Sequence, residues 1–379
     1  MGHLRQDVVG ALVVVALVSA AGPEAVRAND AGAAAESSTT ASAPAAIEMT
    51  PDAALARLSE KGRDGPTPEE LSPMEAALRQ ALLSEPKNAK WHYGLGLVER
   101  VKMGREADAA ARVVLAEASL KHINEATKLD PKNPDYLFML GQATMSTIKP
   151  GDGFMTMADI AGDAKEAWEK AIKLDDDHIP SRMAMVQYEI RARKQGGMLF
   201  GSYKAARRHA EKILNAPGGK HLGHMALGNV AAAEEEWEEM SKQYALSFEH
   251  AADDAERRNA LFSHASSLID GKKDAKAAMP LVEKLVALNT SPGDYMHMFL
   301  RAKAHKMMGD CAGAIPDFKE VLVRSPQAQM TRLLLAECYE STGDKAAALS
   351  AYEDFKAKFP THDRIAEVNK AIKRLGGKG

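Results

Sequence analysis

The chain has 379 residues, more than one ordinary domain needs, and only 5% of them are aromatic, whereas Ala, Leu, Lys and Glu are abundant. This composition is typical of a soluble helical protein. The 49 basic and 52 acidic residues nearly cancel. A formal charge of -3 therefore gives no reason to expect nucleic acid or an anionic membrane as the main partner.

Residues 1–28 have the features of a secretory signal peptide. Arg5 precedes an apolar run from Val8 to Ala21, which is shorter than the ~20 residues that span a bilayer. Small residues permit cleavage after Ala21 or after Ala28, and both sites stay open. The region contains no Cys for lipid attachment of the bacterial lipoprotein kind. We therefore expect a periplasmic or secreted protein with no stable membrane span after cleavage.

Residues 29–66 are expected to form a flexible tether rich in Ala, Ser and Thr. Large apolar residues are almost absent from its first half, so burial cannot offset the entropy cost of ordering it. An amphipathic helix is predicted from Pro68 onward, with Met74, Leu78 and Leu82 on one face. Its spacing matches the second half of a repeat unit and indicates a half or degenerate repeat.

A two-helix pattern then recurs along the chain and predicts seven helix-turn-helix units. Insertions at 146–158 and 195–202 set the earlier units apart from the regular later ones. An apolar stripe on the last predicted helix, with Val368 and Ile372, indicates a cap, because a terminal repeat would otherwise expose its apolar face. The predicted segments are 67–219 (N-terminal repeats with insertions), 220–360 (regular repeats) and 361–379 (cap helix and tail).

The clearest repetition is Tyr295–Pro360, where one 34-residue unit is written twice in succession and the second copy begins at Gln329. A fixed period of this length, with small, aromatic and Pro positions in register, is the signature of a helical repeat array. The matching positions are Met296/Met330, Leu300/Leu334, Ala302/Ala336, Gly309/Gly343, Asp310/Asp344, Ala312/Ala346, Ala314/Ala348, Phe318/Tyr352 and Pro326/Pro360.

The units resemble tetratricopeptide repeats, in particular those of exported bacterial proteins. The resemblance rests on a Leu-Gly or Leu-Ala pair in the first helix, and on an Ala and an aromatic residue in the second. It implies an all-α, right-handed helical-repeat solenoid of about seven helix-turn-helix units with a C-terminal cap helix. Arg301 departs from the pattern, because the family usually has Leu there. The pairs are Leu140-Gly141, Leu227-Gly228 and Leu335-Ala336, and the aromatic residues are Trp168, Tyr244, Phe318 and Tyr352.

The resemblance also implies a concave groove lined by the first helices, which would hold an extended or helical segment of a partner. The alternative is that these side chains pack inward. The Lys and Asn set with which family members clamp a peptide carboxylate is absent. The groove residues are expected to be Phe138, Met183, Met225, Phe299 and Leu333 at the apolar position, with Asn229, Lys303 and Glu337 at the neighbouring polar position.

Candidate metal and nucleotide sites are weaker. His221 and His224 lie at helical spacing, but Met296 and Met298 are two residues apart and face opposite ways on a helix. Met is also a common gap filler in helical cores. The Gly-rich insertion 195–202 lacks the Gly-Lys-Ser/Thr ending of a P-loop. We therefore expect neither a metal nor a cofactor.

Two further features have open interpretations. Cys311 and Cys338 lie in neighbouring units and form either a disulfide or two buried thiols. The acidic run 234–239 is either a solvated face or a docking site for a basic partner.

The sequence predicts a non-enzymatic scaffold or adaptor that binds a protein or peptide partner. No Ser/His/Asp, Cys/His or paired-acid set stands at a spacing that a helical array would bring to one point. Two alternatives stay open: a periplasmic binder of a metal or small ligand, and an accessory subunit of a cell-envelope enzyme complex. The identity of the partner, the pathway and the oligomeric state are not specified by these patterns.

Overall fold

The computed structural model describes residues 49–59, 66–106, 108–149, 151–197, 200–288 and 295–377. Within these ranges the chain forms seventeen α-helices and no strand, which confirms the predicted all-α repeat class. The predicted signal peptide, residues 1–28, lies outside the described residues. The chain divides into two compact units, here called the N-terminal unit (described residues up to Ser181) and the C-terminal unit (Arg182 onward).

The N-terminal unit contains two helices that precede the repeats, followed by two helix pairs. In each pair the first helix packs along the second. Both second helices, α4 and α6, are 21 residues long. The helices are α1 (Pro51–Ser59), α2 (Pro68–Ser84), α3 (Ala89–Arg105), α4 (Ala109–Leu129), α5 (Pro134–Ser146) and α6 (Phe154–Leu174).

The C-terminal unit contains five helix pairs and a final single helix. Its second helices are only 13 or 14 residues long. A π-helical turn, Ser267–Lys272, continues α11. The helices are α7 (Ile179–Gly196, whose first turn precedes the unit boundary), α8 (Tyr203–Asn215), α9 (Lys220–Ala233), α10 (Trp237–Glu249), α11 (Asp254–Ser266), α12 (Ala275–Ala287), α13 (Met296–Met307), α14 (Cys311–Arg324), α15 (Gln329–Ser341), α16 (Lys345–Lys358) and α17 (Ile365–Arg374).

Glycines in the first helices allow the second helix of the same pair to approach closely. A Cβ at Gly141 would lie 2.2 Å from Trp168 Nε1, and a Cβ at Gly228 would lie 2.8 Å from the Tyr244 ring. Trp168 also donates its indole N–H to the carbonyl of Phe138 at 3.1 Å. The Leu-Gly pair and the aromatic residue of the repeat pattern are therefore two sides of one packing contact.

The turns within the last four pairs of the C-terminal unit share one backbone conformation. Each turn contains a left-handed residue immediately before the residue that caps the second helix. Where that capping residue is Asp, its carboxylate accepts a hydrogen bond from a backbone N–H of the first helical turn, which satisfies a group that the helix itself leaves unpaired. The left-handed residues are Glu235, Lys273, Gly309 and Gly343, and the capping aspartates are Asp274, Asp310 and Asp344.

Part of the expected tether is helical instead. Residues 51–59 form α1, within the range 29–66 that was expected to be flexible. Ala54 is fully buried in a cluster with Met74, Leu78 and Trp91, and this burial stabilises the helix. Arg57 is held to Glu70 by an ion pair of 3.2 Å. Residues 29–48 and 60–65 lie outside the described residues.

The last helix, α17, covers the end of the repeat stack, as the sequence predicted. Val368 and Ile372 pack against Tyr352 and Phe355 of α16 in one buried cluster. Without α17 this apolar face would be exposed to water.

Candidate protein-binding surface

The eight predicted groove residues do not all fall in one unit. Phe138 belongs to the N-terminal unit, and the other seven belong to the C-terminal unit. Consecutive first helices of the C-terminal unit, α9 with α11 and α11 with α13, contact one another. They therefore form a shared surface on which the predicted positions can be compared.

Met225 on α9 and Phe299 on α13 are half-buried. Each packs partly against a buried cluster and leaves part of its side chain exposed, and Phe262 on the intervening α11 does the same. We call Met225, Phe262 and Phe299, with Asn229 and Lys303 beside them, the first-helix surface. Met183 on α7 is also half-buried.

Leu333 is not a groove residue, and its predicted role is wrong. It is only 2% exposed and lies in the cluster formed by Tyr352, Phe355 and α17. The physical reason is its place in the last pair, where the cap helix covers the apolar position that earlier pairs leave half-open. Removing this side chain would damage the core of the last pair.

The predicted polar positions are engaged in bonds with neighbouring helices. The Tyr244 hydroxyl donates to Asn229 Oδ1 at 2.7 Å. The Lys303 ammonium group forms an ion pair with Asp270 of the preceding first helix and lies 5.9 Å from the centre of the Phe299 ring. This ion pair is partly exposed, so it contributes at most about 1 kcal/mol and is open to competition by a ligand.

Glu337 takes part in a longer bridge. It pairs with Lys306 of the preceding first helix at 2.9 Å and with Arg364, next to the cap helix, also at 2.9 Å. Glu337 thus joins two neighbours of α15 and is less suited than Lys303 to contact a partner.

In the N-terminal unit, Phe138 is half-buried and its ring lies edge-on to His178 at 6.1 Å. Tyr93 of α3 occupies the equivalent place and was overlooked. It lies two residues before Leu95-Gly96, as Phe138 lies two residues before Leu140-Gly141. The Tyr93 ring contacts Tyr136 at 4.7 Å, and burial raises the pKa of its hydroxyl.

The departure of Arg301 from the repeat pattern is matched by Asp317 of α14. The guanidinium binds this carboxylate through two hydrogen bonds, of 2.6 and 2.7 Å. Asp317 is 8% exposed, and its hydrogen bonding raises the pKa of Arg301. A buried carboxylate needs such a partner, so the two residues form a compensated pair.

One Ser/His/Asp set does come together, contrary to the expectation from spacing. His178 Nδ1 accepts from the Ser181 hydroxyl at 2.8 Å, and its Nε2–H donates to Asp135 Oδ1 at 3.2 Å. Ser181 is fully buried, so no substrate can reach its oxygen. His178 also accepts from the Ser181 backbone N–H at 3.4 Å, and the set acts as a cap at the start of α7.

His221 and His224 are used in packing between α9 and α10. His221 is buried, with its Nδ1 2.9 Å from the Ser247 carbonyl, while His224 bonds to Gln243 at 2.7 Å. The His224 ring also stacks on His250. In the described part of the chain, no group of three or more His, Cys, Asp and Glu side chains is placed to hold a metal ion.

Cys311 and Cys338 are joined in a disulfide that links α14 to α15, with a Cα–Cα distance of 4.9 Å. Both residues are buried, beside Phe318 and Leu335. The bond therefore connects the last two helix pairs covalently.

The acidic run 234–239 is held by a cation of its own unit. Arg207 of α8 binds Glu234 at 2.5 Å and Glu236 at 2.9 Å. Glu235 between them adopts the left-handed conformation of the turn. Part of the run thus stabilises a turn.

One open surface depression, of about 580 Å³, is lined by residues 85–89. The second, of about 320 Å³, has Lys102 and Glu75 in its wall, and these two groups pair with each other. Neither has the convergent catalytic groups of an active site. No helix in the described ranges combines the length and apolarity that a bilayer crossing requires.

Comparison with known proteins agrees with this architecture. Residues 299–363 match the family model described as Tetratricopeptide repeat. The solved structure of yeast Tom70 is similar, with a TM-score of 0.58 and 13% identity over 86% of this chain, and the match covers 62% of the Tom70 chain. No curated protein matches the chain in sequence.

Two further solved structures overlay less closely. A tetratricopeptide repeat protein from Parabacteroides merdae overlays at a TM-score of 0.41 and 15% identity, covering 85% of this chain and 98% of that one. The Cut9–Hcn1 hetero-tetramer of the APC/C overlays at a TM-score of 0.49 and 12% identity. The match covers 86% of this chain and 62% of that one.

The stacked helix pairs, two of which place a glycine against an aromatic ring, define a helical-repeat protein. At this level of identity the Tom70 match shows the fold alone. Together with the family match over residues 299–363, it supports a tetratricopeptide-repeat protein. Such repeats commonly mediate protein–protein interaction, and the family is generally non-enzymatic.

Proposed function

We propose that this protein is a non-enzymatic scaffold or adaptor that binds a protein or peptide partner on the first-helix surface of its C-terminal unit. The observation that carries the proposal is the row of half-buried apolar side chains, Met225, Phe262 and Phe299, on three successive first helices. A partner that covers these side chains would remove their remaining apolar surface from water.

The neighbouring polar groups define the chemistry of the partner. Lys303 lies beside the Phe299 ring, and its counter-ion Asp270 is 46% exposed. A carboxylate on the partner could replace Asp270 at little cost, because an exposed ion pair is weak. We therefore expect apolar anchors in the partner, with an acidic residue near the anchor that contacts Phe299.

The test compares two faces of the C-terminal unit. A photo-crosslinking phenylalanine analogue at Phe299 should capture the partner, while the same analogue at Val323, which is 67% exposed on the second helix α14, should not. The double variant Met225→Ser/Phe299→Ser should lose the partner, and the control Val323→Ser should keep it.

Helical circular dichroism of each variant must equal that of the unaltered chain. Equal crosslinking from positions 299 and 323, or retention of the partner by a folded double variant, would contradict binding at this surface.

We also propose export to an oxidising compartment. The signal-like residues 1–28 and the disulfide between Cys311 and Cys338 support this. Cell fractionation with alkylation of free thiols tests it. Retention in the cytoplasm with both cysteines alkylated would contradict export.

A further inference from the structure

A pair of histidines in the N-terminal unit lies outside the first-helix surface. His92 of α3 and His122 of α4 face each other with their Nδ1 atoms 3.4 Å apart. Their ring centres are 5.7 Å apart and the ring planes are inclined by 39°. Neither ring is fully buried, so an ion from solvent can reach the pair.

The hydrogen bond of the second nitrogen of His92 determines where its proton lies. His92 Nε2 is 3.3 Å from the Pro86 carbonyl, which can only accept a hydrogen bond. Nε2 therefore carries the proton of His92, and the lone pair of His92 Nδ1 accepts a hydrogen bond from His122 Nδ1–H. An ion that binds both Nδ1 atoms would shift the His122 proton to its Nε2. A backbone carbonyl that receives the outer N–H of a histidine is the usual support of a metal-ligating imidazole.

The separation of the two nitrogens also fits a metal ion. A tetrahedral Zn²⁺ with Zn–N bonds of about 2.0–2.1 Å holds two nitrogen ligands about 3.3–3.4 Å apart. We propose that His92 and His122 form an open two-imidazole site for a borderline divalent ion such as Zn²⁺, with water in the remaining positions. This inference is independent of partner binding on the C-terminal unit.

The surrounding charges permit a cation. Arg79 is neutralised by Glu75 at 2.7 Å and Glu99 at 3.5 Å, and Lys102 pairs with Glu75 at 2.6 Å. The nearby Lys121 is exposed and opposes cation binding only weakly.

The experiment titrates Zn²⁺ into the metal-free full chain and measures binding by calorimetry. A parallel titration with Co²⁺ records the absorption spectrum of the bound ion. We expect one saturable site per chain in the micromolar range and a tetrahedral Co²⁺ spectrum. His122→Ala and His92→Ala should each weaken binding at least tenfold. His224→Ala removes one member of the stacked pair with His250 and should leave binding unchanged.

Circular dichroism checks that every variant is folded. His122→Gln, a milder change at the same ring, replaces His122→Ala if the latter unfolds. Absence of saturable binding, or binding that both folded variants of the pair retain, would overturn the proposal.

Discussion

The two units bury the same kind of contact but join their helices differently. In both, a glycine of the first helix lies against a large side chain of the second, as Gly96 does against Ile123 and Gly228 against Tyr244. The second helices are 21 residues long in the two pairs of the N-terminal unit and 13 or 14 in the C-terminal unit. The contact is therefore compatible with helices of different length.

The turns differ between the units as well. Four turns of the C-terminal unit repeat one left-handed conformation, which fixes where each second helix begins. The N-terminal unit begins α4 at an Asp108 cap and α6 after Gly153, without that shared turn. Insertions are thus tolerated where the turn is not shared, which explains why strict periodicity appears only in the later part of the sequence.

The largest expected effect concerns the covalent link in the C-terminal unit. Replacing Cys311 and Cys338 by Ser removes a bond between residues 27 apart, which should cost about 3.5 kcal/mol of unfolding free energy in the chain-entropy model. Hydrogen exchange measured peptide by peptide should show faster exchange in α14 to α17, with the N-terminal unit unchanged. Uniform acceleration across both units would mean that they do not unfold separately.

Leu333→Ala should lower the unfolding free energy by about 3 kcal/mol, because removing this buried side chain leaves a cavity against Phe355 and Val368. Denaturant unfolding measures the loss. Met330→Ala, at a 43% exposed position on the same helix, is the control and should have little effect. An equally small effect of Leu333→Ala would restore its groove assignment.

Matched glycine variants compare the packing of the two units. Gly141→Ala should destabilise the N-terminal unit by about 2 kcal/mol, because a methyl group would lie 2.2 Å from Trp168 Nε1. Gly228→Ala should cost about 1 kcal/mol, since its nearest contact is 2.8 Å and Ala favours the helix. Thermal unfolding should rank the variants in this order, and the reverse order would contradict the contact geometry.

Acid should weaken the C-terminal unit through His264. Burial lowers the pKa of His264 to about 4 from 6.5, so the unfolded chain binds a proton first as the pH falls. The stabilisation is complete above pH 6.5 and is lost towards pH 4. We expect the unfolding free energy to fall by only about 1 kcal/mol over this range, because solvent partly reaches the ring. His264→Gln should flatten the pH dependence of exchange in α11, and an unaltered slope would exclude this histidine as the cause.

The smallest expected effect is a gain. Lys273 has φ 61, a conformation that costs most residues with a Cβ about 1–2 kcal/mol. Lys273→Gly should stabilise the C-terminal unit by about 0.5 kcal/mol, after the entropy cost of Gly is subtracted. Gly309→Ala, in an equivalent turn, should do the opposite. A loss of stability in Lys273→Gly would show that its side chain matters more than its backbone.

Much of the fold could be predicted because the repeat contacts are local and repeated. Gly141 and Trp168 belong to one helix pair, and Gly228 and Tyr244 belong to another. The same sequence period therefore predicts both packing contacts. The helix α1 could not be predicted in this way, because it has the small residues of a linker and gains its stability from burying Ala54 against α2 and α3.

The candidate site was less predictable. Leu333 has the sequence position of a groove residue, but α17 covers it. Asp317 compensates Arg301 from 16 residues away, and Asp135 reaches His178 from 43 residues away. Such pairs depend on how neighbouring helices pack against each other, and the repeat period of the sequence does not specify that packing.

The equivalent turns at Gly309 and Gly343 have φ angles of 83° and 82°, so the segment 310–343 begins and ends in the same backbone geometry. Both cysteines lie inside this segment. The segment is thus a self-contained module: a chain lengthened by a second copy would gain its own internal crosslink, and a chain shortened by its removal would be left with no unpaired thiol.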